Sequence, residues 1–514
     1  MSQKLLRGKH VITDPARVSS DGALADGAIL VENGKVAATG PYQSLKQKYP
    51  NAKEIGSDKH VVMPGLINAH HHGRGFMGLQ LGIVDGYLEE WMLDYWLQRP
   101  LDIYLDTMYA NIRMLRAGVT TVIHSGYSRD WSETATEVRS ALKAYDESGM
   151  RVAYAAGVED QNTFVLGDTE KFIASLPDKM ATRVREALYR LGASQGYDYF
   201  KTVDELKDLY ADHPRINILY GPTGPEWCSP ALLRKIADRA HADGMGIHMH
   251  CLESPLQHDF SYLEHGKSSV ALLRETGILG PRTSLAHATW LSEDDIRICA
   301  DLGASACHNA SSNLRLHNGI APVARMLELG MNVGIGMDGW AINSDDDMLQ
   351  EMRLVSYIHR MPRGMRALPA PDAADVLRMA TVGGATPAIF GDKIGRLTVG
   401  ANADAVLLDY ATMTYPYIDR RTPLAEAIVG LGRGRHVEMV MVGGEVLVEG
   451  GRYLKRDEAA LVGELATIAD KVLPAHLQEF YGVIEDLKPY VKKFYDEWPA
   501  AKRVEPLYSV NSRI

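Results

Sequence analysis

The sequence has few cysteines and no long hydrophobic run. Only four of its 514 residues are cysteine, none of them in a CxxC pair, which argues against a disulfide scaffold or a cysteine zinc knuckle and favours a reducing compartment. No apolar run approaches the roughly 18 residues that span a bilayer, and the first residues become charged too early for a secretory signal peptide. We therefore expect a cytoplasmic protein that does not insert into membranes.

An excess of positive charge is also absent. The chain has 55 Lys and Arg against 65 Asp and Glu, a net charge of −10, which argues against broad binding to nucleic-acid polymers or anionic membranes. Apolar residues make up 46% and charged residues 23%, as in ordinary globular proteins. The expected partner is therefore a small molecule, and composition leaves homo-oligomerisation open. The 18 histidines are the most informative feature.

Both ends of the chain carry short strand patterns. Residues 1–60 alternate apolar and polar positions around an Asn33-Gly34 turn, the strongest short signal for a β-hairpin. Val-rich runs broken by glycine pairs return at 391–455. The two segments together predict a small discontinuous β-sandwich domain, and residues 456–514 predict a C-terminal helical extension.

The middle of the chain, residues 61–390, alternates strand patterns with amphipathic helical patterns that end at glycine. Eight strand patterns occur in this order: VVMPGLINAH, VTTVIHS, RVAYAAGVED, INILYGPTG, MGIHMHCLES, TSLAHATWL, GASACHNAS and MNVGIGMDG. This repetition predicts an α/β fold, a (β/α)8 TIM barrel whose chemistry lies at the carboxyl ends of the strands. Residues 165–210 predict a helical insertion in one loop.

Imidazoles and carboxylates gather at the ends of these strand patterns. The set is His70 and His72 on the first, His250 and Glu253 on the fifth, His287 on the sixth and Asp338 on the eighth. Residues i and i+2 of a strand face the same way, so His70 and His72 can point inward while His71 points outward. The imidazoles of His70, His72 and His250 together with the carboxylate of Asp338 form a set of three nitrogen ligands and one oxygen ligand. Such a set suits zinc, or iron, with a position left for water.

A simpler interpretation applies to each histidine alone. A single histidine on a strand is more often a core residue with satisfied hydrogen bonds than a metal ligand, and His71, His248, His265 and His317 could each be only that. The acidic stretch Asp345–Asp347 predicts a solvated loop or a helix start. The convergence of several polar residues at different strand ends favours the functional interpretation.

Five motifs carry a resemblance to the amidohydrolase superfamily: PGLINAHHH, HCLES, LAHATWLSEDDI, HNASSNLRLHNGIAPV and GIGMDG. They resemble the branch that holds guanine, cytosine and S-adenosylhomocysteine deaminases and the s-triazine hydrolases, over about residues 1–455. The resemblance implies metal ligands His70, His72, His250 and Asp338, and acid–base or substrate roles for Glu253 and His287. It leaves His248 a supporting role.

One lysine that the resemblance leads us to look for is missing. Family members with two metals usually bridge them with a carboxylated lysine at the end of the fourth strand, which here ends in Gly221-Pro222-Thr223. We therefore expect one metal ion per chain. That expectation favours deamination over two-metal hydrolysis of amides or lactones.

The same residues suggest a mechanism. Asp338 would be both ligand and base, His287 would orient the nucleophilic water, and Glu253 would protonate a ring nitrogen of an N-heterocycle such as a purine, pterin, pyrimidine or triazine. Ammonia would then leave. Three alternatives stay open: displacement of chloride, alkylamine or sulfide at the same site, cyclic-amide hydrolysis with two metals, and a catalytically inactive barrel that serves as a binding module.

Residues for substrate recognition are harder to select. The candidates are Gln80, Trp91, His124, Glu159, His308 and Asn309, each close to a predicted strand end. Tyr95, Trp227, Trp290 and Trp340 add aromatic faces that could stack on a flat ring, although Trp91 and Trp96 could equally be helix core. Arg74 and Arg129 could bind a carboxylate or phosphate, but a solvated surface position is the stronger expectation. Asn313 is expected to hold its loop.

Overall fold

The computed structural model describes residues 3–128, 133–190, 198–360 and 370–499. Within them lie two eight-stranded sheets. The first eight strands of the chain are β1 (Lys4–Ile12), β2 (Ala23–Glu32), β3 (Lys35–Pro41), β4 (Lys53–Pro64), β5 (Leu66–His71), β6 (Val119–Ser125), β7 (Arg151–Val158) and β8 (Ile216–Pro222). The other eight are β9 (Ile247–Cys251), β10 (Thr283–His287), β11 (Ser305–His308), β12 (Asn332–Ile335), β13 (Ala405–Asp409), β14 (Val437–Val442), β15 (Glu445–Glu449) and β16 (Arg452–Tyr453).

Strands β5 to β12 form a parallel sheet in sequence order, and they coincide with the eight predicted strand patterns. Nearly every residue in them is buried, because helices cover the outer face and side chains fill the inner one. Just beyond β12 the backbone N–H of Asp338 donates to the carbonyl of His70 at 2.9 Å, which closes the barrel beside β5. The predicted (β/α)8 fold is confirmed.

Twenty α-helices connect and cover the strands in the described part of the chain. The first ten are α1 (Tyr42–Lys48), α2 (Leu88–Trp96), α3 (Ile103–Arg116), α4 (Thr134–Ser148), α5 (Thr169–Ser175), α6 (Asp178–Arg190), α7 (Tyr199–Tyr210), α8 (Pro230–Asp243), α9 (Pro255–His265) and α10 (Ser269–Glu275). The others are α11 (Glu293–Leu302), α12 (Ala310–Arg315), α13 (Val323–Glu328), α14 (Met348–Ile358), α15 (Ala373–Arg378), α16 (Gly384–Ala388), α17 (Tyr410–Met413), α18 (Leu424–Leu431), α19 (Glu458–Ala469) and α20 (Ala475–Asp496).

Local sequence explains where the barrel helices begin and end. Helix α11 begins at Ser292, whose hydroxyl accepts from the backbone N–H of Asp295 while the Asp295 side chain accepts from the backbone N–H of Ser292, a reciprocal cap. The helix ends at Gly303 with a φ of 75°, a left-handed conformation that glycine adopts without strain. Helices α5 to α7 occupy the described part of the predicted insertion.

Strands from both chain ends form the second sheet, in the order β16-β15-β14-β13-β4-β1-β2-β3. Strand β4 is the link, because it pairs parallel with β1 and antiparallel with β13. The strands of the two chain ends therefore form one continuous mixed sheet, and β4 leads directly into barrel strand β5.

A buried ion pair joins the barrel to this sheet. Arg151, the first residue of β7, places Nε 2.9 Å and Nη2 3.1 Å from the two carboxylate oxygens of Asp404. Asp404 also accepts from the backbone N–H of Gly443 at 2.7 Å. Both charged side chains are 2% exposed, so this bidentate contact fixes the sheet against the barrel base.

The C-terminal helices pack against the barrel. Helix α20 buries Phe480, Ile484 and Leu487 against Trp96 of α2 and Phe164 of the loop after β7. Helix α2 also reaches the barrel mouth, so the C-terminal extension supports one wall of the site. No helix in the described ranges is both long enough and apolar enough to cross a membrane.

Candidate metal centre and substrate cavity

Four imidazoles and one carboxylate converge at the carboxyl ends of the barrel strands. The Asp338 Oδ1 atom lies 3.0 Å from His70 Nε2 and 3.1 Å from His72 Nε2, and Asp338 Oδ2 lies 4.0 Å from His287 Nε2. The ligand atoms of His70, His72 and His250 all lie within 4.8 Å of one another, as do those of His70, His287 and Asp338. The structure thus brings together these five residues selected from the sequence, and the sixth, Glu253, lines the same cavity.

The other ring nitrogen of each histidine has a partner that sets the ring orientation. His72 Nδ1 lies 2.8 Å from the carbonyl of Ser125, and His250 Nδ1 lies 2.7 Å from the carbonyl of Thr223. Both carbonyls belong to neighbouring strand ends. Such contacts fix the tautomer so that Nε2 offers its lone pair to the centre.

His70 and His287 are held by side chains. His70 Nδ1 lies 2.7 Å from His248 Nε2, so His248 orients the His70 ring. His287 Nδ1 donates to Asn313 Oδ1 at 2.8 Å, which gives Asn313 a contact beyond its own loop. The Nε2 atoms of His70 and His287 are buried, and each faces an oxygen of Asp338.

Protonation states favour metal binding. Burial lowers the pKa of His250 to about 3, with help from the nearby charges of His72 and His287. Burial also lowers the pKa of His70 and of His287. Neutral imidazoles with free Nε2 atoms, next to one carboxylate, are the donors that zinc or iron takes. The arrangement therefore fits a divalent metal.

Close packing shapes the β12 side of this centre. At Gly336, between β12 and Asp338, a Cβ atom would lie 2.2 Å from Asn309 Oδ1 and 2.9 Å from the His70 Cβ. Only glycine leaves room there. Asp338 itself has a φ of 60°, a left-handed conformation costly for a non-glycine residue, and the hydroxyl of Ser312 donates to its Oδ2 at 2.5 Å.

Glu253 and Asp338 have pKa values shifted in opposite directions. Burial raises the pKa of Glu253 well above its usual value, and the negative charges of Asp338 and Glu89 add to the effect. Burial would also raise the pKa of Asp338, but the contacts with His70 and His72 outweigh it and hold that pKa well below its usual value. Asn318 Nδ2 donates to Glu253 Oε1 at 2.8 Å. The two environments thus favour the protonated form of Glu253 and the ionised form of Asp338, the division that an acid and a base require.

An aromatic cavity lies above the centre. Its floor includes His72, His250, Glu253, His287 and Asp338. Five aromatic side chains form much of the wall: Trp91, Tyr95, Tyr127, Trp227 and Trp340. Trp91 meets Trp340 edge to face with ring centroids 5.1 Å apart, and Tyr95 contacts both Trp91 and Tyr127. Such a wall suits a flat ring.

Of the six candidate substrate residues, only Trp91 lies on this wall. His124 is buried beneath it, stacked on Tyr154 at 4.4 Å. His308 packs against His359 of α14, with the two Nε2 atoms 3.2 Å apart, and Asn309 precedes helix α12. All three lie at strand ends, but their side chains point into the packing between strands and helices.

The two remaining candidates belong to loops. Glu159 is half-buried after β7, where burial and the charge of Asp160 raise its pKa to about 8, but it does not line the cavity. Gln80 is exposed, and its Oε1 accepts from the backbone N–H of Met77 at 2.9 Å. Among the tryptophans, Trp227 and Trp340 are on the wall, Trp96 is core, and Trp290 is 37% exposed outside the cavity.

Two expectations about charged residues are wrong. Asp346 is not solvated but fully buried, with Oδ1 3.4 Å from His71 Nε2 and Oδ2 3.5 Å from Arg113 Nε. Arg74 is not on the open surface but lines the cavity with its side chain 15% exposed. Arg129 lies outside the described residues. Helix α14 does begin at Asp347, which caps it, as the helix-start alternative predicted.

Sequence reasoning missed some wall residues. Tyr127 lies two positions beyond the end of β6, and the wall residue Trp340 similarly lies two positions beyond Asp338. An aromatic residue just after a strand end could therefore have indicated Tyr127 as a wall residue. Thr223 occupies the end of β8, where the bridging lysine was sought, and lines the cavity. Leu88 and Met92 reach the wall from α2, and no local pattern distinguishes them from helix core.

Comparison with known proteins places this geometry in a family. Residues 61–447 match the amidohydrolase family, and residues 27–52 match a bacterial imidazolonepropionase-like composite domain. The chain belongs to the amidohydrolase family. The match covers the whole barrel and three of the C-terminal strands of the small sheet, so the predicted resemblance is confirmed.

Several amidohydrolases are similar over nearly their whole length. The chain is 31% identical over 486 residues to a 5′-deoxyadenosine deaminase of Methanosarcina acetivorans, covering 92% of this chain and 99% of the relative. It is 30% identical over 460 residues to a 5-methylthioadenosine/S-adenosylhomocysteine deaminase of Desulforudis audaxviator, covering 87% and 95%. The solved structure of an adenosine deaminase from Xanthomonas campestris with bound zinc superposes with a TM-score of 0.76 at 25% identity, covering 91% of this chain and 98% of that chain.

Proposed function

We propose that this amidohydrolase removes an exocyclic amino group from an N-heterocyclic small molecule and releases it as ammonia. The observation that carries the proposal is the cavity itself: a neutral carboxyl, Glu253, and an ionised one, Asp338, share a floor with converging imidazoles under an aromatic wall. Deamination needs an acid that protonates a ring nitrogen and a base that takes a proton from the water attacking the adjacent carbon.

The metal would be held by His70, His72, His250 and Asp338, with zinc as the first choice and iron as the alternative. Their convergence and the buried Nε2 of His70 beside Asp338 support this set, and the similar Xanthomonas structure contains zinc. When bound, the metal supplies a Lewis acid that lowers the pKa of a water to about 7. One ion per chain is proposed because Thr223, directly after β8, takes the place of the lysine that would bridge two metals.

The protein groups would move the protons. Asp338, ionised because His70 and His72 stabilise its charge, would accept a proton from the attacking water. Glu253, protonated because of its burial, would donate to a ring nitrogen and make the adjacent carbon electrophilic. His287, oriented by Asn313, would orient the water toward the ring carbon that it attacks. The amino group would then take the proton held by Asp338, the new hydroxyl would return a proton to Glu253 as it becomes a carbonyl, and the carbon–nitrogen bond would break with release of ammonia.

Adenine-type nucleosides are the substrate class to test first. The relatives named above are deaminases of 5′-deoxyadenosine and of methylthioadenosine or S-adenosylhomocysteine, and the aromatic wall offers faces for a purine. The test measures ammonia release from a panel of adenine nucleosides, guanine, cytosine and amino-triazines, together with metal content per chain. We expect ammonia equal to the substrate consumed, with one metal ion.

Two results would contradict the proposal. Turnover without ammonia would indicate another leaving group, and two metal ions per chain would refute the single-metal site. The Glu253→Gln variant should keep its metal and lose ammonia release. The matched control is Glu264→Gln on the exposed face of α9, which should keep both.

A further inference from the structure

Arg74 lies across the barrel mouth from Glu253. Arg74 follows β5 and Glu253 follows β9, and these strands are four positions apart in the eight-stranded order. Both side chains line the same cavity. A substrate whose ring nitrogen faces Glu253 therefore extends toward Arg74 with its opposite end.

Arg74 is the one cationic side chain among the described residues of the cavity wall. Its Nη1 lies 3.9 Å from Asp106 Oδ2, too far for a hydrogen bond, and its buried Nε has no hydrogen-bond partner. The side chain of Tyr95 takes one hydrogen bond from Arg74, and Glu137 adds a second negative charge in its surroundings. A guanidinium carries five N–H donors, so donors remain for a ligand.

Asp106 provides a counter-charge without occupying the guanidinium. Its Oδ1 accepts from the backbone N–H groups of Gly75 and Phe76 at 2.9 and 3.1 Å, which fixes the loop that carries Arg74. The pair allows Arg74 to stay charged in a largely buried position. The arginine is thus held in place with N–H groups that an acceptor in the cavity can reach.

We propose that Arg74 is a specificity-determining residue that binds an anionic substituent, a carboxylate or a phosphate, on the part of the substrate remote from the amine. Arginine matches the geometry of both groups with paired hydrogen bonds. This inference rests on the proposed function for the orientation of the substrate. It predicts that acidic derivatives of an amino-heterocycle bind better than neutral ones of the same shape.

The test measures binding apart from turnover. Quenching of the wall tryptophans reports the dissociation constants of adenosine 5′-carboxylate, adenosine 5′-phosphate and the neutral adenosine 5′-carboxamide, each with metal-loaded enzyme. We expect at least one anion to bind more tightly than the carboxamide, and the better of the two identifies the group. Arg74→Met should weaken binding of that anion by about 10- to 100-fold, the range of a hydrogen bond to a charged group, and leave the carboxamide unchanged.

Two further variants sharpen the test. Asp106→Asn keeps the acceptor for both backbone N–H groups but removes a negative charge, so it should tighten anion binding by about two- to tenfold, assuming charges roughly 6–8 Å apart in a partly hydrated site. Arg325→Met removes an arginine on α13 that pairs with Glu293, and it should change nothing.

Three outcomes would overturn the inference: no anion binds, both anions bind no better than the carboxamide, or Arg74→Met weakens all three ligands equally. Ammonia release, measured in parallel, distinguishes the two proposals. If an anion binds in an Arg74-dependent way but no ammonia is released, the deaminase proposal is refuted and the inference about Arg74 stands. If ammonia is released but anions are not preferred, the inference about Arg74 is refuted and the deaminase proposal stands.

Discussion

Glu226 is a buried acid whose replacement should make the protein more stable at high pH. The residue is 1% exposed, and neither carboxylate oxygen has a hydrogen-bond partner within the described residues. Burial, together with the charge of Glu89, raises its pKa from 4.5 to about 8. Its neighbour Trp227 lines the cavity.

The sign of the effect follows from proton binding. Between pH 4.5 and about 8 the folded protein keeps the Glu226 proton while the unfolded chain has lost it, so the free energy of unfolding falls as pH rises, by ~1.4 kcal/mol per pH unit. The loss from pH 5 to pH 8 is about 4 kcal/mol, and above pH 8 it stays constant. Glu226→Gln removes this loss, because an amide does not ionise.

The assay is urea unfolding of parent and variant from pH 5 to pH 9, followed by circular dichroism. The stability of Glu226→Gln relative to the parent should rise across that range by about 4 kcal/mol. Glu293→Gln is the control. Hydrogen bonds from Arg325 and Arg297 lower the pKa of Glu293 to about 2, so it is ionised throughout and its replacement should have the same effect at every pH. A constant difference for Glu226→Gln as well would refute the reasoning.

Three other substitutions test the centre and the domain junction. Glu253→Gln should lower kcat by about 10²–10⁴ through loss of the acid with metal content unchanged by elemental analysis; loss of the metal instead would show that Glu253 has a structural role. Asp346→Asn removes the charge that faces His71, the residue between the proposed ligands His70 and His72, so we expect a lower Tm and faster metal loss to a chelator, and unchanged metal retention would contradict this. Arg151→Met leaves the buried Asp404 carboxylate unpaired and should cost about 3–5 kcal/mol in chemical denaturation, most of it recovered by the double variant Arg151→Met/Asp404→Leu; no recovery would mean that the pair itself stabilises the junction.

Strand positions were predictable because the signal is local. Every barrel strand is buried on both faces and is followed by a helix, so each appears in the sequence as a short apolar run before an amphipathic stretch. The family resemblance and the polar strand ends are also features of the sequence, and they select His70, His72, His250 and Asp338. How the strands of the two chain ends pair was not predictable, because β4 joins β1 and β13 across more than 300 residues of sequence.

Side-chain direction past a strand end was the weakest inference. His308 follows the strand alternation but faces His359 on α14, while Tyr127 and Arg74, two or more positions beyond their strands, line the cavity. Side chains alternate between the two faces only within a strand. Beyond the strand end, the path of the loop determines where each side chain points. The strand alternation predicted that His71 points outward, but it did not predict that His71 contacts the buried Asp346.

The sequence by itself determined the barrel, the family and the set of side chains at the strand ends, because these depend on periodicity and spacing along the chain. Only the tertiary structure decided that Glu253 is neutral while Asp338 is ionised, that Arg74 lines the cavity, and that Asp346 is buried. Those properties arise from desolvation and from charges on distant segments, which no local pattern contains. The few cysteines and missing apolar runs excluded whole classes of protein, whereas the packing of buried acids around one cavity defined the chemistry.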